Sequence, residues 1–375
     1  MTATLPEKGA DNAIYLIDVS SFIFRAYYSV GHLSKRDGTP TGAVFGVANM
    51  LVSLIAEHAP AYVAAAMDSK TPTFRKEIYP AYKANRPPPP PDLKEQFPMT
   101  QTLIEGFRLA VVQKDGFEAD DIIATLTRAA EEKGLQVVIV SADKDLMQLV
   151  KPGTVMYDTM KAKVWDEAAV LEKWGVPPRL LGDLLAVAGD SSDNIPGIPR
   201  VGPKTAAPLL VEYDGLDNLI AKRDTLKSKA LAERLGAHAE DAALSKKLVT
   251  LHDHVPVDLD WNALRYETPE PARLAATLDA FEFTKLKERL LGDTPAASSL
   301  ETSKEAACEY HSVSEEAELQ PTYHCPNCDK QEFQVSVGFE IPSDSELPND
   351  TSWFVPAAKC ASCGWEEIVY DDETA

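Results

Sequence analysis

The chain contains 375 residues, of which 45% are apolar and 25% are charged. This composition is typical of globular protein and argues against wholesale disorder, collagen and coiled coil. No apolar run approaches the roughly 20 residues of a membrane-spanning helix, and Met1–Asn12 lacks a signal-peptide pattern. We therefore expect a cytoplasmic protein of two or three domains that does not enter a membrane.

The formal net charge of −21 is concentrated at one end of the chain. Asp293–Ala375 carries 3 basic and 18 acidic residues, so Met1–Gly292 accounts for a net charge of only −6. An acidic protein is not expected to bind nucleic acid, but the average charge does not describe the first 292 residues.

Composition divides the chain into segments. Residues 13–291 are dense in alternating strand-like and helix-like runs, and the pattern becomes mostly helical after Asp166. We predict a catalytic α/β domain over residues 13–175 and a helical subdomain over residues 176–291. Residues 292–322, rich in Ala, Ser, Thr and Glu, predict a flexible acidic linker, and residues 323–375 predict a small module.

Short apolar strands alternate with helices in the first of these domains. The runs AIYLID, AYVAAAM and LQVVIVSA predict buried strands. Apolar spacing predicts a helix over Gly42–Ala59 and another from about Glu118 to Lys133. This alternation predicts a mainly parallel sheet with helices on both faces.

Acidic residues follow the predicted strands. Nine of them are candidates for one site: Asp18, Asp68, Glu118, Asp120, Asp121, Asp143, Asp145, Asp190 and Asp193. Ligands of such sheets bind at the carboxyl ends of the strands, so these side chains are expected to converge there. Divalent cations would relieve the repulsion between these carboxylates, and carboxylate oxygens are ligands that Mg²⁺ and Mn²⁺ prefer. Two such ions would support phosphodiester hydrolysis. Taken singly, each acid is equally well explained as a turn or helix-cap residue.

A basic segment lies between the second strand and the next helix. Lys70–Arg86 carries a net charge of +4, and three aromatic residues are interleaved with these charges. Pro87–Pro91 is a run of five prolines, which favours an extended spacer.

Several long stretches of residues 14–291 resemble the 5′-nuclease domain of bacterial DNA polymerase I and, more distantly, the flap endonucleases. The stretches are LIDVSSFIFRAYY, TGAVFGVANML, TFRKEIYPAYKANRPPPP, GFEADDIIATL, SADKDLMQLV and LAVAGDSSDNIPGIPRVGPKTA. They occur in the family's order. Only 84 residues follow Leu291, too few for a polymerase module, so the resemblance is to a stand-alone nuclease with a PIN-like sheet.

The resemblance assigns roles to these residues. It implies that the nine carboxylates bind two metal ions and that four side chains hold the scissile phosphate or the threaded strand: Arg25, Tyr82, Lys83 and Arg86. Lys70–Leu93 is similar to the family's helical arch, through which a single-stranded 5′ end passes, with Phe74 and Arg75 as DNA contacts. Its basic side chains can bind phosphates and its aromatic side chains can stack on unpaired bases, which suits that role. Loop packing and solvated charges are the alternative explanations.

The stretch DNIPGIPRVGPKTA resembles the family's helix–turn–helix element, whose backbone N–H groups bind duplex phosphates. The implied DNA contacts are Gly197, Ile198, Arg200, Gly202, Lys204 and Thr205. The resemblance also implies a K⁺ site formed by Ser192 and Val201. Arg200 departs from the family, which usually has a small residue there. A plain turn between packed helices is the alternative.

The last segment contains two Cys-x-x-Cys pairs, and their spacing predicts a structural zinc site. The ligands would be Cys325, Cys328, Cys360 and Cys363. The alternating run EFQVSVGFEI lies between the pairs, and the module resembles a zinc ribbon. Its acidic end favours docking to a protein partner over binding to DNA.

We therefore predict a bacterial-type, nucleoid-associated, Mg²⁺-dependent enzyme that cleaves DNA at 5′ flaps, nicks or free 5′ ends. RNA–DNA hybrids are further candidate substrates, and we expect a monomer. One alternative is a catalytically weak protein that binds branched DNA and recruits a partner through the ribbon. Another is a PIN-like ribonuclease, although such folds lack the long arch and the Gly-rich turn.

Overall fold

A computed structural model of the protein describes residues 4–292 and the backbone of three short strands further on. The chain forms two compact units, Met1–Asp293 and Thr294–Ala375. No helix in the described part of the chain is long and apolar enough to cross a membrane.

A six-stranded sheet forms the centre of the first unit. Its strands are β1 (Ala13–Asp18), β2 (Tyr62–Ala66), β3 (Ala110–Val112), β4 (Gln136–Val140), β5 (Thr154–Asp158) and β6 (Lys163–Trp165). The strand order is β3-β2-β1-β4-β5-β6, and every neighbouring pair is parallel except β5 with β6. The predicted, mainly parallel sheet is confirmed.

Six α-helices belong to the first half of this unit. They are α1 (Val19–Val30), α2 (Gly42–His58), α3 (Phe74–Ile78), α4 (Pro91–Gly106), α5 (Ala119–Glu132) and α6 (Glu167–Trp174). The predicted helices over Gly42–Ala59 and Glu118–Lys133 are therefore confirmed as α2 and α5.

Alternate side chains of β1 enter two separate apolar cores because successive residues of a strand face opposite sides of the sheet. Ile14 and Leu16 join the core that contains α5 and the helices after it. Tyr15 and Ile17 join the core that contains α1, α2 and α4. All six residues of β1 are buried, so the sheet is covered on both faces, as predicted.

The second half is helical, as predicted. Its helices are α7 (Leu181–Ala188), α8 (Pro203–Tyr213), α9 (Leu216–Ala221), α10 (Lys229–Ala237), α11 (Ala239–Val249), α12 (Trp261–Leu264), α13 (Pro271–Ala280) and α14 (Thr284–Leu291). The α7–α11 helices extend the core on the α5 side of the sheet. The last two return to the α2 side, where the ring of Phe283 lies 5.2 Å from that of Phe45.

The second unit contains an antiparallel sheet of β7 (Phe333–Ser336), β8 (Ala357–Cys360) and β9 (Glu366–Ile368). Cys360 is the last residue of β8 and pairs in register with Phe333. The predicted ligands Cys325, Cys328 and Cys363, and nearly all of the predicted linker over residues 292–322, lie outside the described residues.

Candidate active site

Three parallel strands of the sheet bring acidic residues to one edge. Asp18 is the last residue of β1, Asp68 follows β2 by two residues, and Asp143 follows β4 by three. The α5 helix begins at this edge, with Asp120 in its first turn. Hydrogen bonds tie the elements together: Ala119 N donates to Asp68 Oδ1 at 2.8 Å.

The side chains at this edge repel one another. Burial, followed by the charges of Asp143 and Asp68, raises the pKa of Asp18 to about 7. Burial and the charge of Asp143 raise the pKa of Asp145 to about 8. The pKa of Asp120 is also raised well above its ordinary value by burial and by Asp143 and Asp18. The surroundings of these three carboxyl groups therefore disfavour their charged forms, first through burial and then through the neighbouring acids.

The donor set fits divalent cations. Asp145 Oδ1 is buried and has no hydrogen-bond partner, and the carboxylate ligands are of the oxygen type that Mg²⁺ prefers. No three acidic, histidine or cysteine side chains within residues 4–292 already converge on one point. Ser141 Oγ instead donates to Asp18 at 2.8 Å, and Ser20 Oγ donates to Asp68 at 2.5 Å. A carboxylate oxygen can accept a hydrogen bond and bind a cation at the same time, so the two serines can keep these contacts when a cation binds.

We expect the stability of the protein in EDTA to fall as the pH rises from about 4 to about 8. The folded-state pKa values of Asp18 and Asp145, about 7 and about 8, lie above the roughly 3.9 of an unfolded Asp. The folded protein therefore holds protons that the unfolded chain has released, and this stabilising effect disappears as the pH passes the folded values. Melting temperatures from pH 5 to pH 8 measure the trend, and Mg²⁺ should flatten it. A melting temperature that rises across this window would contradict the crowding of charge.

Asp121 does not join the crowded edge, which corrects the prediction that all nine carboxylates converge. Its side chain is fully buried, and both oxygens accept hydrogen bonds from Arg75 at 2.7 Å. Successive helix residues point about 100° apart. Asp120 therefore faces Asp143 and Asp18, while its neighbour faces Arg75.

Two predicted DNA contacts are buried in the structure. Arg75 is 1% exposed and is enclosed by protein, so it cannot contact DNA without unfolding of its surroundings. Tyr82 is 3% exposed, and its hydroxyl contacts Glu118 at 3.0 Å and Asp193 at 3.2 Å. Tyr82 was predicted to hold the scissile phosphate or the threaded strand, but its buried hydroxyl contacts these two carboxylates instead. Phe74 packs against the rings of Phe117 and His252.

Lys83 and Arg86 lie beside the acidic edge. Lys83 Nζ is 2.9 Å from Glu118 Oε1 and 3.7 Å from Asp193 Oδ2. Burial opposes the charge on Lys83, but Glu118 and then Asp193 raise its pKa above the ordinary value. Arg86 forms an ion pair with Asp193, and its side chain is about half exposed. Arg25 pairs with a different acid. Its guanidinium donates to the two oxygens of Asp158 at 3.0 and 3.2 Å.

The segment predicted as a helical arch, residues 70–93, is only partly helical. It contains α3, a series of turns and the first three residues of α4, because Pro80 and Pro87–Pro90 cannot continue a helix whereas Pro91 can begin one. The turns are attached to the loop after α7. Lys83 N donates to Asp193 O at 2.9 Å, and Asn194 Nδ2 donates to Ala81 O at 2.7 Å.

That loop carries the remaining two acids, Asp190 and Asp193. Lys144 Nζ lies 2.9 Å from Asp190 Oδ2. Burial opposes ionisation of Asp190, but the hydrogen bond and charge of Lys144 lower its pKa below the ordinary value. Lys144 was not predicted as a site residue, although its position between Asp143 and Asp145 indicated that it lies near the acidic edge. Ser20 and Ser141 were missed as well.

The turn before α8 is divided between buried and exposed residues. Gly197, Ile198 and Val201 are buried. Gly197 and Ile198 were predicted to contact DNA, and their burial corrects that prediction. Four predicted contacts are exposed at the N-terminus of α8: Arg200, Gly202, Lys204 and Thr205. Ser192 is also exposed, and its N–H donates to Asp190 Oδ1 at 2.8 Å. The K⁺ site at Ser192 and Val201 stays a prediction.

Gly197→Ala is expected to destabilise the protein by about 2–4 kcal/mol. Gly197 has a φ of +61°, and an added Cβ would lie 2.3 Å from Gly189 N. Gly202→Ala is the matched control, since a Cβ there meets nothing within 4 Å. Denaturant unfolding of both variants measures the difference. Equal stabilities would contradict the close backbone approach at Gly197.

Comparisons with known proteins show the family of the chain. Residues 13–175 match the family model described as 5′-3′ exonuclease, N-terminal resolvase-like domain, and residues 176–272 match 5′-3′ exonuclease, C-terminal SAM fold. The 5′-3′ exonuclease of Aquifex aeolicus is 36% identical over 273 residues, which are 73% of this chain and 93% of that protein.

DNA polymerase I of Rhizobium leguminosarum is 46% identical over 285 residues, which are 74% of this chain and 28% of the polymerase. DNA polymerase I of Bacillus caldotenax is 36% identical over 281 residues, with 32% of that polymerase covered. The chain thus spans about a third of these polymerase relatives.

Solved structures share the fold at low sequence identity. A bacteriophage T5 flap endonuclease in complex with DNA and metal ions has a TM-score of 0.54 and 17% identity, covering 74% of this chain and 98% of that one. The catalytic core of Rad2 in complex with DNA substrate has a TM-score of 0.52 and 13% identity, covering 75% and 91%. The likeness to these structures establishes the fold of the chain. The chain belongs to the 5′-3′ exonuclease family.

Proposed function

We propose that this protein is a Mg²⁺-dependent nuclease that cleaves DNA at 5′ flaps, nicks and free 5′ ends. The observation that carries the proposal is the crowded acidic edge, with Lys83 and Arg86 beside it. Membership of the 5′-3′ exonuclease family supports the reaction and its polarity. The T5 and Rad2 structures, which hold DNA, support the substrate class.

Eight carboxylates are proposed to hold two divalent ions: Asp18, Asp68, Glu118, Asp120, Asp143, Asp145, Asp190 and Asp193. When bound, the ions supply activation of water and stabilisation of the leaving oxygen. Asp145 supplies a carboxylate oxygen with no competing hydrogen bond. Asp18 and Asp68 would keep their serine hydroxyl partners, which hold ligating carboxylates in place.

The cations beside this edge are proposed to bind the scissile phosphate. Lys83 and Arg86 are now paired with Glu118 and Asp193. If metal ions neutralised those carboxylates, the side chains of Lys83 and Arg86 would be free to bind the phosphate oxygens. There they would stabilise the negative charge that increases in the transition state. Both side chains remain accessible, Lys83 to 23% and Arg86 to 51%.

Competing substrates test the proposed polarity. The purified protein is incubated with equal amounts of a 5′-flap duplex, a 3′-flap duplex, a blunt duplex and a single strand, each with a different fluorophore. The proposal predicts fastest cleavage of the 5′ flap, near its junction with the duplex. Preference for the 3′ flap or for the single strand would overturn it.

The exposed turn at the start of α8 is proposed to bind the duplex. Its helix N-terminus and two basic side chains, Arg200 and Lys204, suit phosphate oxygens. Lys204→Ala is expected to weaken binding to duplexes of any sequence and to lower the salt slope by about 1. Fluorescence anisotropy at several salt concentrations measures both quantities. The exposed Lys229→Ala, on α10, serves as the control. Equal salt slopes for the two variants would contradict the placement of duplex at this turn.

We also propose that the C-terminal unit binds structural zinc through Cys325, Cys328, Cys360 and Cys363. The Cys-x-x-Cys spacing supports this. The acidic surroundings favour a protein partner over DNA. Zinc content of the purified protein, compared with a Cys360→Ser/Cys363→Ser variant, tests the site, since one equivalent should be lost.

A further inference from the structure

We propose that Arg75 and Asp121 form a buried clamp that positions Glu118 and Lys83 for cleavage, so that Asp121 is a positioning residue rather than a metal ligand. This inference rests on the proposed nuclease function and refines its set of ligands. The clamp joins α3, the first turn of α5 and the segment after α11.

The guanidinium of Arg75 is satisfied entirely by protein. Nη1 and Nη2 donate to the two oxygens of Asp121, each at 2.7 Å. Nε donates to Leu248 O at 2.7 Å, and Nη2 also donates to Thr250 O at 3.1 Å. Such a planar, two-pronged contact fixes orientation as well as distance.

The carboxylate of Asp121 has no capacity left for a metal. Besides Arg75, it accepts from His252 N at 2.9 Å and from Glu118 N at 3.2 Å. Its side chain has no exposed surface. A cation would therefore have to displace Arg75, a charged partner held by two further carbonyls. Removal of one member of a buried ion pair leaves the other uncompensated, which is strongly destabilising.

The clamp reaches the acidic edge through Glu118. Asp121 accepts from the backbone of Glu118 in a capping box, and Arg75 Nη1 lies 3.4 Å from Glu118 Oε2. Glu118 Oε1 in turn contacts Lys83 Nζ at 2.9 Å. Loss of the clamp would let Glu118 and Lys83 shift together.

The clamp also fixes the helical half of the unit to this edge. Leu248 lies in the last turn of α11, and Thr250 and His252 follow that helix directly. On the same helix, Ser245 Oγ accepts from Gly197 N at 3.1 Å in the turn before α8. The position of the duplex-binding turn relative to Glu118 therefore depends on Arg75.

The test compares Asp121→Asn, Arg75→Gln and the double variant in the full chain, with Asp120→Asn as the matched control one position away. Each single clamp variant is expected to melt below wild type in EDTA, and the double variant should melt above both, because it removes both charges. At a temperature well below melting, each single variant should lose about 10- to 100-fold in kcat. KM for flap DNA should change less than about twofold. The half-saturating Mg²⁺ concentration should rise less than in Asp120→Asn, because the clamp variants shift the proposed ligand Glu118 but remove no ligand. Asp120→Asn should raise the half-saturating Mg²⁺ concentration most and melt at or above wild type in EDTA.

Two results would overturn the clamp. Asp121 would be a metal ligand if Asp121→Asn raised the half-saturating Mg²⁺ concentration and melted in EDTA as Asp120→Asn does. In that case, adding Arg75→Gln should not raise the melting temperature of Asp121→Asn. Lower melting temperatures with wild-type kcat would leave the pair a structural role only. Absence of flap cleavage by the wild type would refute the proposed function, while melting in EDTA would still decide between clamp and ligand. If Asp121→Asn fails to fold, Asp121→Glu retains the charge and permits the same comparison.

Discussion

Asp145→Asn is expected to lower the rate of flap cleavage by about 1,000-fold while raising the melting temperature in EDTA. Asparagine has nearly the same shape but no charge, so it weakens metal binding and removes the repulsion from Asp143. Asp145 Oδ1 is buried without a hydrogen-bond partner, so the free protein loses no contact there. Single-turnover cleavage and thermal melting of the same preparation measure the two effects.

The opposite signs of these effects make the experiment specific. Asp258→Asn is the matched control, because it removes the same charge from an exposed position and should alter neither quantity. A variant with little cleavage and a lower melting temperature would indicate damage to the fold. A variant with near wild-type cleavage would exclude Asp145 from the metal site.

Lys83→Met is expected to slow cleavage by about 100-fold and also to destabilise the protein. Methionine keeps the apolar stem of lysine but removes the cation that lies 2.9 Å from Glu118 and 3.7 Å from Asp193. The loss of activity should appear in kcat, because the phosphate gains charge in the transition state. The destabilisation follows because two carboxylates lose their shared partner.

Lys76→Met provides the control for Lys83. Lys76 is exposed on α3, in the same basic segment, so its removal tests the general charge of that segment. Steady-state kinetics and melting curves of both variants give the comparison. Equal losses from the two variants would mean that the segment acts only through its overall charge, and Lys83 would have no particular role.

The sequence allowed the centre of the sheet to be predicted, because β1, β2 and β4 are continuous apolar runs buried on both faces. The remaining strands were missed for physical reasons. The β3 and β6 strands have only three residues each and lie at the edges of the sheet. The β5 strand, TVMYD, is as long as β2 and β4, but it has only three consecutive apolar residues between polar ends. Its place in the sheet comes from pairing with β4, which is a tertiary contact.

The candidate site was predicted in composition but not in the direction of each side chain. The strand ends located Asp18 and Asp143, because parallel strands share one carboxyl edge. Helical rotation of about 100° per residue could have separated Asp120 from Asp121. The buried position of Arg75 could not be predicted, since its partners Leu248 and Thr250 lie more than 170 residues away in the sequence.

Cleavage of a 5′-flap duplex, labelled at its 5′ end, tests the central claim most directly. Wild-type protein is compared in Mg²⁺ and in EDTA, alongside Asp145→Asn in Mg²⁺. A metal-dependent nuclease site at the acidic edge predicts one main product cut near the flap junction, formed only by the wild type and only with Mg²⁺. Cleavage that persists in EDTA, or at an equal rate in Asp145→Asn, would contradict it.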